Sequence, residues 1–322
     1  MTNICIKILL RLSLTYTVIL IGAVKSNAAI LIDTIKSPKN VVYIEVNHHN
    51  LKNAGGYTFA GTGKPFFDIA IIFAANINYS IAKHKAVLYC NPNVRAVLNR
   101  KKDHVTSLQK KGIKVLLAIL GNHHGVGVTN FKTREAAADF AQQVADTIKN
   151  NNLDGVDIDD EWVDYKPDLP RNSNSLIWLL SELRKLMPGK IISLYDMDIM
   201  PEMKASKESK VSDYINYSWQ PYYGKFNPPV YPGLGKDKIS PGAIDVTQAK
   251  VDIYIDFARK TKAGGYGWMM YYNLTPKDIS AELSAAANLL YGATVKASSE
   301  SNQPWTNLVD TDPDWEKVSG IR

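Results

Sequence analysis

The run Leu153-Asp-Gly-Val-Asp-Ile-Asp-Asp-Glu161 limits what this chain can fold into more than any other stretch. Val156 and Ile158 alternate there with Asp157, Asp159 and Glu161. Side chains on a β-strand repeat with a period of two, so the three carboxylates share one face and the two aliphatic residues the other. Carboxylates stacked in a partly buried place cannot all be ionised at neutral pH. Such an arrangement concentrates where a proton is held for chemistry. The run therefore predicts a strand with one face against a hydrophobic layer and the other presenting an acid/base site. Gly155 leaves room on the crowded face, and Asp154 and Asp160 point away from it.

The rest of the chain supplies the frame for that strand. Strand-like runs at 41–46, 67–74, 115–120, 191–195, 214–220 and 267–272 alternate with helix-like runs. The continuous apolar run Val115–Leu120 suits a strand covered on both sides. Helices are expected over 93–111, over 133–150 with Thr133 as cap, over 174–187, near 247–262, and from Thr275-Pro276 to Gly292. Repeated β-then-α units imply parallel strands joined by right-handed crossovers. Seven strands are readable, and an eighth falls somewhere within 236–255. Residues 36–293 thus match a (β/α)₈ TIM barrel forming a single catalytic domain. An open doubly wound sheet is the competing architecture, but no Gly-rich phosphate fingerprint follows the first strand. In a barrel, active groups sit at the C-terminal ends of strands, which puts Glu161 at the mouth, Asp159 one pleat deeper and Asp157 deeper still.

The ends of the chain are different in kind. Lys7 and Arg11 precede an apolar run from Leu12 to Val24, and Ser26-Asn27-Ala28 offers a cleavage site, so residues 1–28 are expected to be a signal peptide. A secreted, periplasmic or cell-surface location is the corresponding expectation, with no membrane span after processing. Cleavage removes three basic residues and lowers the formal charge from +7 to +4. The remaining Lys and Arg are scattered, which excludes a nucleic-acid footprint. Cys5 falls in the leader and leaves Cys90 alone, so the core carries stability without a disulfide. Residues 294–322 are expected to be a polar C-terminal tail or linker beyond the barrel.

The spacing Asp154-x-x-Asp157-x-Asp159-x-Glu161 resembles the motif of glycoside hydrolase family 18. Within that family the chain resembles endo-β-N-acetylglucosaminidases of the Endo H type, through Tyr43-Ile-Glu-Val-Asn47, Leu120-Gly-Asn-His-His-Gly125, Leu153–Glu161 and Gln220-Pro-Tyr222-Tyr-Gly224. The resemblance implies substrate-assisted retaining hydrolysis of the GlcNAc-GlcNAc core of N-glycans of the high-mannose type. It casts Glu161 as acid and base, Asp159 as the group that orients the acetamido N–H, and Asp157 as its proton partner. It places Gln220 and Tyr222 on the acetamido oxygen, and strand parity is expected to turn both inward. Glu45, Asn47, Asn122 and His123 are implied at the sugar cleft, and Trp268 as the floor beneath the acetamido sugar. The expected partner is an N-glycan on a glycoprotein or a free oligosaccharide, bound by a monomer with no cofactor.

Other readings compete. The acidic run could hold a cation, but an EF-hand loop beginning at Asp157 needs Gly at its sixth position, where Trp162 stands. The pairs His48-His49 and His123-His124 make poor chelates, because adjacent residues on extended chain point apart. A chitinase would use the same acid. Chitinases of the family often carry an S-x-G-G pattern on the third strand, where this chain has Leu120-Gly-Asn-His-His, and often insert a small domain before the last strand. A catalytically silent carbohydrate-binding barrel would usually have lost the glutamate at 161.

Overall fold

The computed structural model describes residues 37–197 and 199–305. The proposed leader and residues 306–322 of the tail lie outside them. The strands are β1 (Lys39–Glu45), β2 (Tyr57–Phe59), β3 (Ile69–Ser80), β4 (Lys85–Tyr89), β5 (Lys114–Leu120), β6 (Gly155–Asp159), β7 (Ile191–Tyr195), β8 (Tyr217–Trp219), β9 (Ile239–Ser240), β10 (Ala243–Asp245), β11 (Trp268–Tyr272) and β12 (Val295–Ala297). The α-helices are α1 (Pro92–Asn99), α2 (Val105–Lys110), α3 (Arg134–Asn150), α4 (Ser175–Leu186), α5 (Val251–Gly264) and α6 (Ser280–Tyr291).

Nine strands run side by side in the order β10-β11-β1-β3-β5-β6-β7-β8-β9, every neighbouring pair parallel. The two ends of this path, β9 and β10, are consecutive in the chain and separated by Pro241-Gly242. They act as one broken barrel strand, so the ring is a nearly closed (β/α)₈ barrel. Pro241 has no N–H for a ladder, and a Cβ at Gly242 would come within 2.6 Å of the Phe257 ring. This break explains why the sequence shows only seven clear strands.

Alternation sorts the strands into two cores. Tyr43, Ile71, Leu116, Ala118, Trp219 and Met270 fill the lumen. Ile44, Ile72, Leu117, Val156, Ile158 and Leu194 face the outer layer. In that layer α3 begins at Thr133, whose hydroxyl accepts from the Ala136 amide at 3.2 Å. Its stripe Ala137, Phe140, Ala141, Val144 and Ile148 is fully buried. A cap is worth about 1 kcal/mol, whereas burying a single Phe is worth roughly 1.5–3 kcal/mol. The stripe, not the cap, therefore seats this helix.

Three local expectations change. The helix expected over 93–111 is two helices, because Arg100-Lys-Lys-Asp103 offers no apolar residue to hold a continuous rod on the core. The last helix starts at Ser280 rather than Pro276; Thr275 makes a local turn to the Lys277 amide, and Asp278 accepts from the Ser280 amide. Residues 295–305, expected beyond the barrel, return to it. Strand β12 pairs antiparallel with β2, and Trp305 is buried with the Arg100 guanidinium 5.2 Å from its ring centre. Among the described residues no helix is long and apolar enough to cross a membrane.

Candidate active site

Every residue of β6 is buried. Asp157 lies in the middle of the lumen with no solvent exposure. Three donors from three other strands meet it. The Tyr43 hydroxyl donates to Oδ2 at 2.7 Å, and the Ser193 hydroxyl and the Trp219 indole N–H donate to Oδ1 at 2.5 and 3.0 Å. Burial pushes the Asp157 pKa up to about 6, and these hydrogen bonds restrain the rise. An indole N–H can only donate. An acceptor surrounded by donors is best satisfied as an anion, so Asp157 carries the charge.

Asp159 sits one pleat nearer the mouth and is also buried. Burial first, then the negative charges of Glu161 and Asp157, hold its pKa well above the ordinary carboxylate range. Asp159 therefore keeps a proton beneath Glu161, and its Oδ1 accepts from the Glu161 amide at 3.2 Å. Two carboxyls with separated protonation states are the arrangement expected of an acid/base site.

An aromatic wall surrounds this mouth. Tyr195, paired in register with Asp159, donates to the Pro221 carbonyl at 2.6 Å. Tyr223 stacks on Tyr272 with ring centres 4.9 Å apart and 20° between planes. Phe73 meets Tyr272 edge-on at 5.7 Å. Burial first, and the neighbouring Glu161 carboxylate as a lesser cause, hold the hydroxyls of Tyr195, Tyr223 and Tyr272 above the ordinary phenol range. Glu45, at the end of β1, has its pKa raised by burial and acts on Tyr272.

The loops after β5 and β6 hold Glu161 in place. A Cβ on Gly121 would come within 2.3 Å of the Glu161 carbonyl oxygen, so only glycine fits there. Asp160 turns away from the lumen, as its parity requires. It accepts from the Val128 amide at 3.0 Å, the Thr129 hydroxyl at 2.6 Å and the Tyr165 hydroxyl at 2.6 Å. The chain on both sides of the glutamate is thereby tied to the neighbouring loop.

The other expected site residues fall into two groups. Asn47 follows β1, where its side-chain oxygen accepts from Asn91 and Asn93 at 3.1 and 3.3 Å. Asn122 donates to Asn78 at 3.0 Å, and His123 pairs with Asp164 at 2.8 Å, both on the loop after β5. Gln220 and Tyr222 lie beyond the last residue of β8, and Gln220 accepts from the Tyr222 amide at 3.3 Å. The inward residues of β8 are Tyr217 and Trp219, so strand parity does not orient Gln220 and Tyr222; the loop does. Gln220 is buried and Tyr222 is exposed.

Trp268 needs a correction. It is the first residue of β11, paired with Lys39 at the start of β1. Its ring packs on Tyr217 and Trp219 at 4.6 and 5.4 Å. Active groups project from the opposite ends of the strands, and four residues of strand separate the two ends by roughly 13 Å. Tyr272 occupies the inward position at the mouth. Tyr43, Ser193, Trp219, Tyr195, Tyr223 and Tyr272 were not anticipated. Parity on already recognised strands could have found Tyr43 and Ser193, the latter a lone small polar residue within Ile191–Tyr195. No group of three or more His, Cys, Asp or Glu among the described residues is arranged to hold a metal ion.

The family profile described as "Glycosyl hydrolases family 18" matches residues 39–228. An endo-beta-N-acetylglucosaminidase of Flavobacterium sp. (strain SK1022) is 45% identical over 80% of this chain and 82% of its own length. Endo-beta-N-acetylglucosaminidase F1 of Elizabethkingia meningoseptica is 32% identical over 78% of this chain and 76% of its own. Among solved structures, Bacteroides thetaiotamicron EndoBT-3987 with Man5GlcNAc product superposes with a TM-score of 0.73 at 27% identity, over 84% of this chain and 65% of that one. The same enzyme with Man9GlcNAc2Asn substrate superposes with a TM-score of 0.73 at 26% identity, over 84% and 70%. These similarities establish a family and an activity class; they do not single out the Endo H type.

Proposed function

The chain belongs to glycosyl hydrolase family 18 and is an endo-β-N-acetylglucosaminidase of N-glycans, and from that premise we propose how its barrel mouth cuts the GlcNAc-GlcNAc core. Glu161 protonates the oxygen leaving the anomeric carbon. The substrate's own 2-acetamido carbonyl attacks that carbon and closes an oxazolinium ring. Protonated Asp159 holds the acetamido N–H in line and stabilises the developing positive charge together with anionic Asp157 below it. Glu161, now a carboxylate, takes the proton of the incoming water as the ring reopens. Gln220 and the wall of Tyr195, Tyr223 and Tyr272 enclose the sugar.

One observation carries this reading: three donors from three strands converge on Asp157 and favour its anion, so the proton of the two acids rests on Asp159. A nucleophilic carboxylate beside the anomeric carbon would have to be anionic. A protonated Asp159 suits the acetamido role instead.

High-mannose glycans are the proposed substrate class, supported by the likeness to the EndoBT-3987 complexes. The chitinase alternative expects a small domain inserted before the last strand. Between Tyr222 and Trp268 stand only one short 3₁₀ turn, β9, β10 and α5. That brevity favours an open cleft that admits a branched glycan. We further propose that the leader exports the protein to its glycoprotein substrates; N-terminal sequencing of secreted protein checks the cut after Ala28.

Digestion of a high-mannose glycoprotein followed by mass analysis tests the activity. The released glycan is expected to carry one GlcNAc and the protein to keep the other. Cleavage of chitin oligomers with no glycan release would replace this reading by the chitinase one.

A further inference from the structure

Glu161 stands between two spaces. On the lumen side are Asp159, Tyr195, Tyr223 and Tyr272. On its outer side is a cleft of about 470 Å³ whose lining includes Trp162, Asp164, Tyr165, Arg171, Met197 and Tyr222. Resting on the function proposed above, the sugar whose acetamido group meets Asp159 occupies the first space. The acid that protonates the scissile oxygen must touch the bond to the leaving group. The outer cleft therefore lies on the leaving-group side.

Trp162 is the residue this cleft is built around. It directly follows Glu161, yet its side chain is 56% exposed and takes no part in either core. Its backbone lies in the left-handed region with φ of 59°, a conformation bulky non-glycine residues rarely adopt. The facing loop braces it. His123, itself at φ 58°, donates its amide to the Trp162 carbonyl at 2.6 Å and sets its ring 5.5 Å from the indole. Asp164, at φ 56°, pairs with the His123 ring at 2.8 Å. Strain of this kind persists where surrounding contacts over-determine it, and it clusters at ligand clamps. An indole held in water beside the acid presents a flat apolar face with one N–H donor.

We propose that Trp162, positioned by His123 and Asp164, is the platform for the departing half of the substrate: the reducing-end GlcNAc and its linked asparagine. One face of a pyranose is a patch of C–H bonds that lies flat on an indole. Tyr222, across the cleft, supplies a second aromatic surface. Trp162 thus sets specificity for glycans still attached to protein without touching the reacting atoms.

The experiment uses two substrates with the same glycan. One is a Man9GlcNAc2-asparagine glycopeptide. The other is the Man9GlcNAc oxazoline, which has no leaving group and enters at the second half of the reaction. In W162A, kcat/KM on the glycopeptide is expected to fall tenfold or more, and oxazoline hydrolysis less than twofold. W162Y, which restores a flat ring, is expected to recover glycopeptide cleavage to within about threefold of the parent. Equal losses on both substrates, or none on either, would overturn the assignment, as would a W162Y as defective as W162A. A parent protein that cleaves neither substrate overturns the activity reading, and this inference with it.

Discussion

The indole N–H of Trp219 reaches across the barrel lumen to Oδ1 of Asp157 at 3.0 Å. It joins β8 to β6 through the anion on which the site's protonation depends. With Tyr43 and Ser193 it decides which of two neighbouring acids is charged, and the chemistry at the mouth follows from that decision.

Glu161→Gln removes the proton donor while keeping shape and hydrogen-bonding capacity. Glycan release is expected to fall by roughly 10²–10⁴-fold, with binding of an uncleaved Man9GlcNAc2-asparagine glycopeptide retained. Single-turnover assays and calorimetric titration of the variant measure the two quantities. Parent-level turnover by E161Q would remove Glu161 from the acid role.

Asp159→Asn replaces the group that meets the acetamido N–H. Turnover is expected to fall strongly, on the scale of roughly 10²-fold for one transition-state contact, with KM changing less than kcat. Steady-state kinetics on the glycopeptide separate the two. Kinetics identical to the parent would mean that substrate assistance is not the mechanism.

Trp219→Phe withdraws one donor from Asp157, so its charged form loses support and its pKa rises further. The acid limb of the kcat profile is then expected to move to higher pH by about a unit, one lost charge-assisted hydrogen bond being worth roughly 1.5 kcal/mol. A pH–rate series from 4 to 8 detects the shift. An unmoved limb would detach Trp219 from the titration.

Burial holds Asp157 and Asp159 above the usual carboxylate range. The folded protein therefore keeps protons that the unfolded chain has already released, and stability declines as pH rises from the ordinary carboxylate pKa toward about 6. In Asp157→Asn this site cannot ionise. Its unfolding free energy is expected to fall less between pH 4 and 6.5 than the parent's, by an amount on the order of 1–3 kcal/mol. Urea unfolding at both pH values makes the comparison, and equal declines would count against it.

Gly121→Ala places a methyl group 2.3 Å from the Glu161 carbonyl oxygen. The loop after β5 or the chain carrying the acid must move. A displacement near 1 Å at a catalytic group costs on the order of 10²-fold in rate, so activity is expected to drop far more than thermal stability. Melting temperature and kcat measured on the same preparation test the difference.

The acidic run was legible because it obeys a local rule. Asp157, Asp159, Val156 and Ile158 point where a period of two sends them, since each lies within a regular strand. Gln220 and Tyr222 escaped that rule because β8 ends at Trp219 and the loop takes over. The place of Trp268 beneath the sugar rested on the family resemblance alone, against its position at the N-terminal start of the strand expected over 267–272. Its pairing with Lys39 supplies its depth.

Alternation along one strand, a property of neighbouring peptide units, fixed which acids share a face, and the order of apolar runs fixed a barrel around them. Which acid bears the charge depends on Tyr43, Ser193 and Trp219, residues distant in sequence that only closure of the ring brings within hydrogen-bonding distance. Trp162 adjoins the acid by sequence, but the pairing of β5 with β6 sets it against a loop some forty positions earlier in the chain. Local geometry is written in consecutive residues; protonation and substrate reach depend on what surrounds a group in space, and that was decided by the tertiary fold.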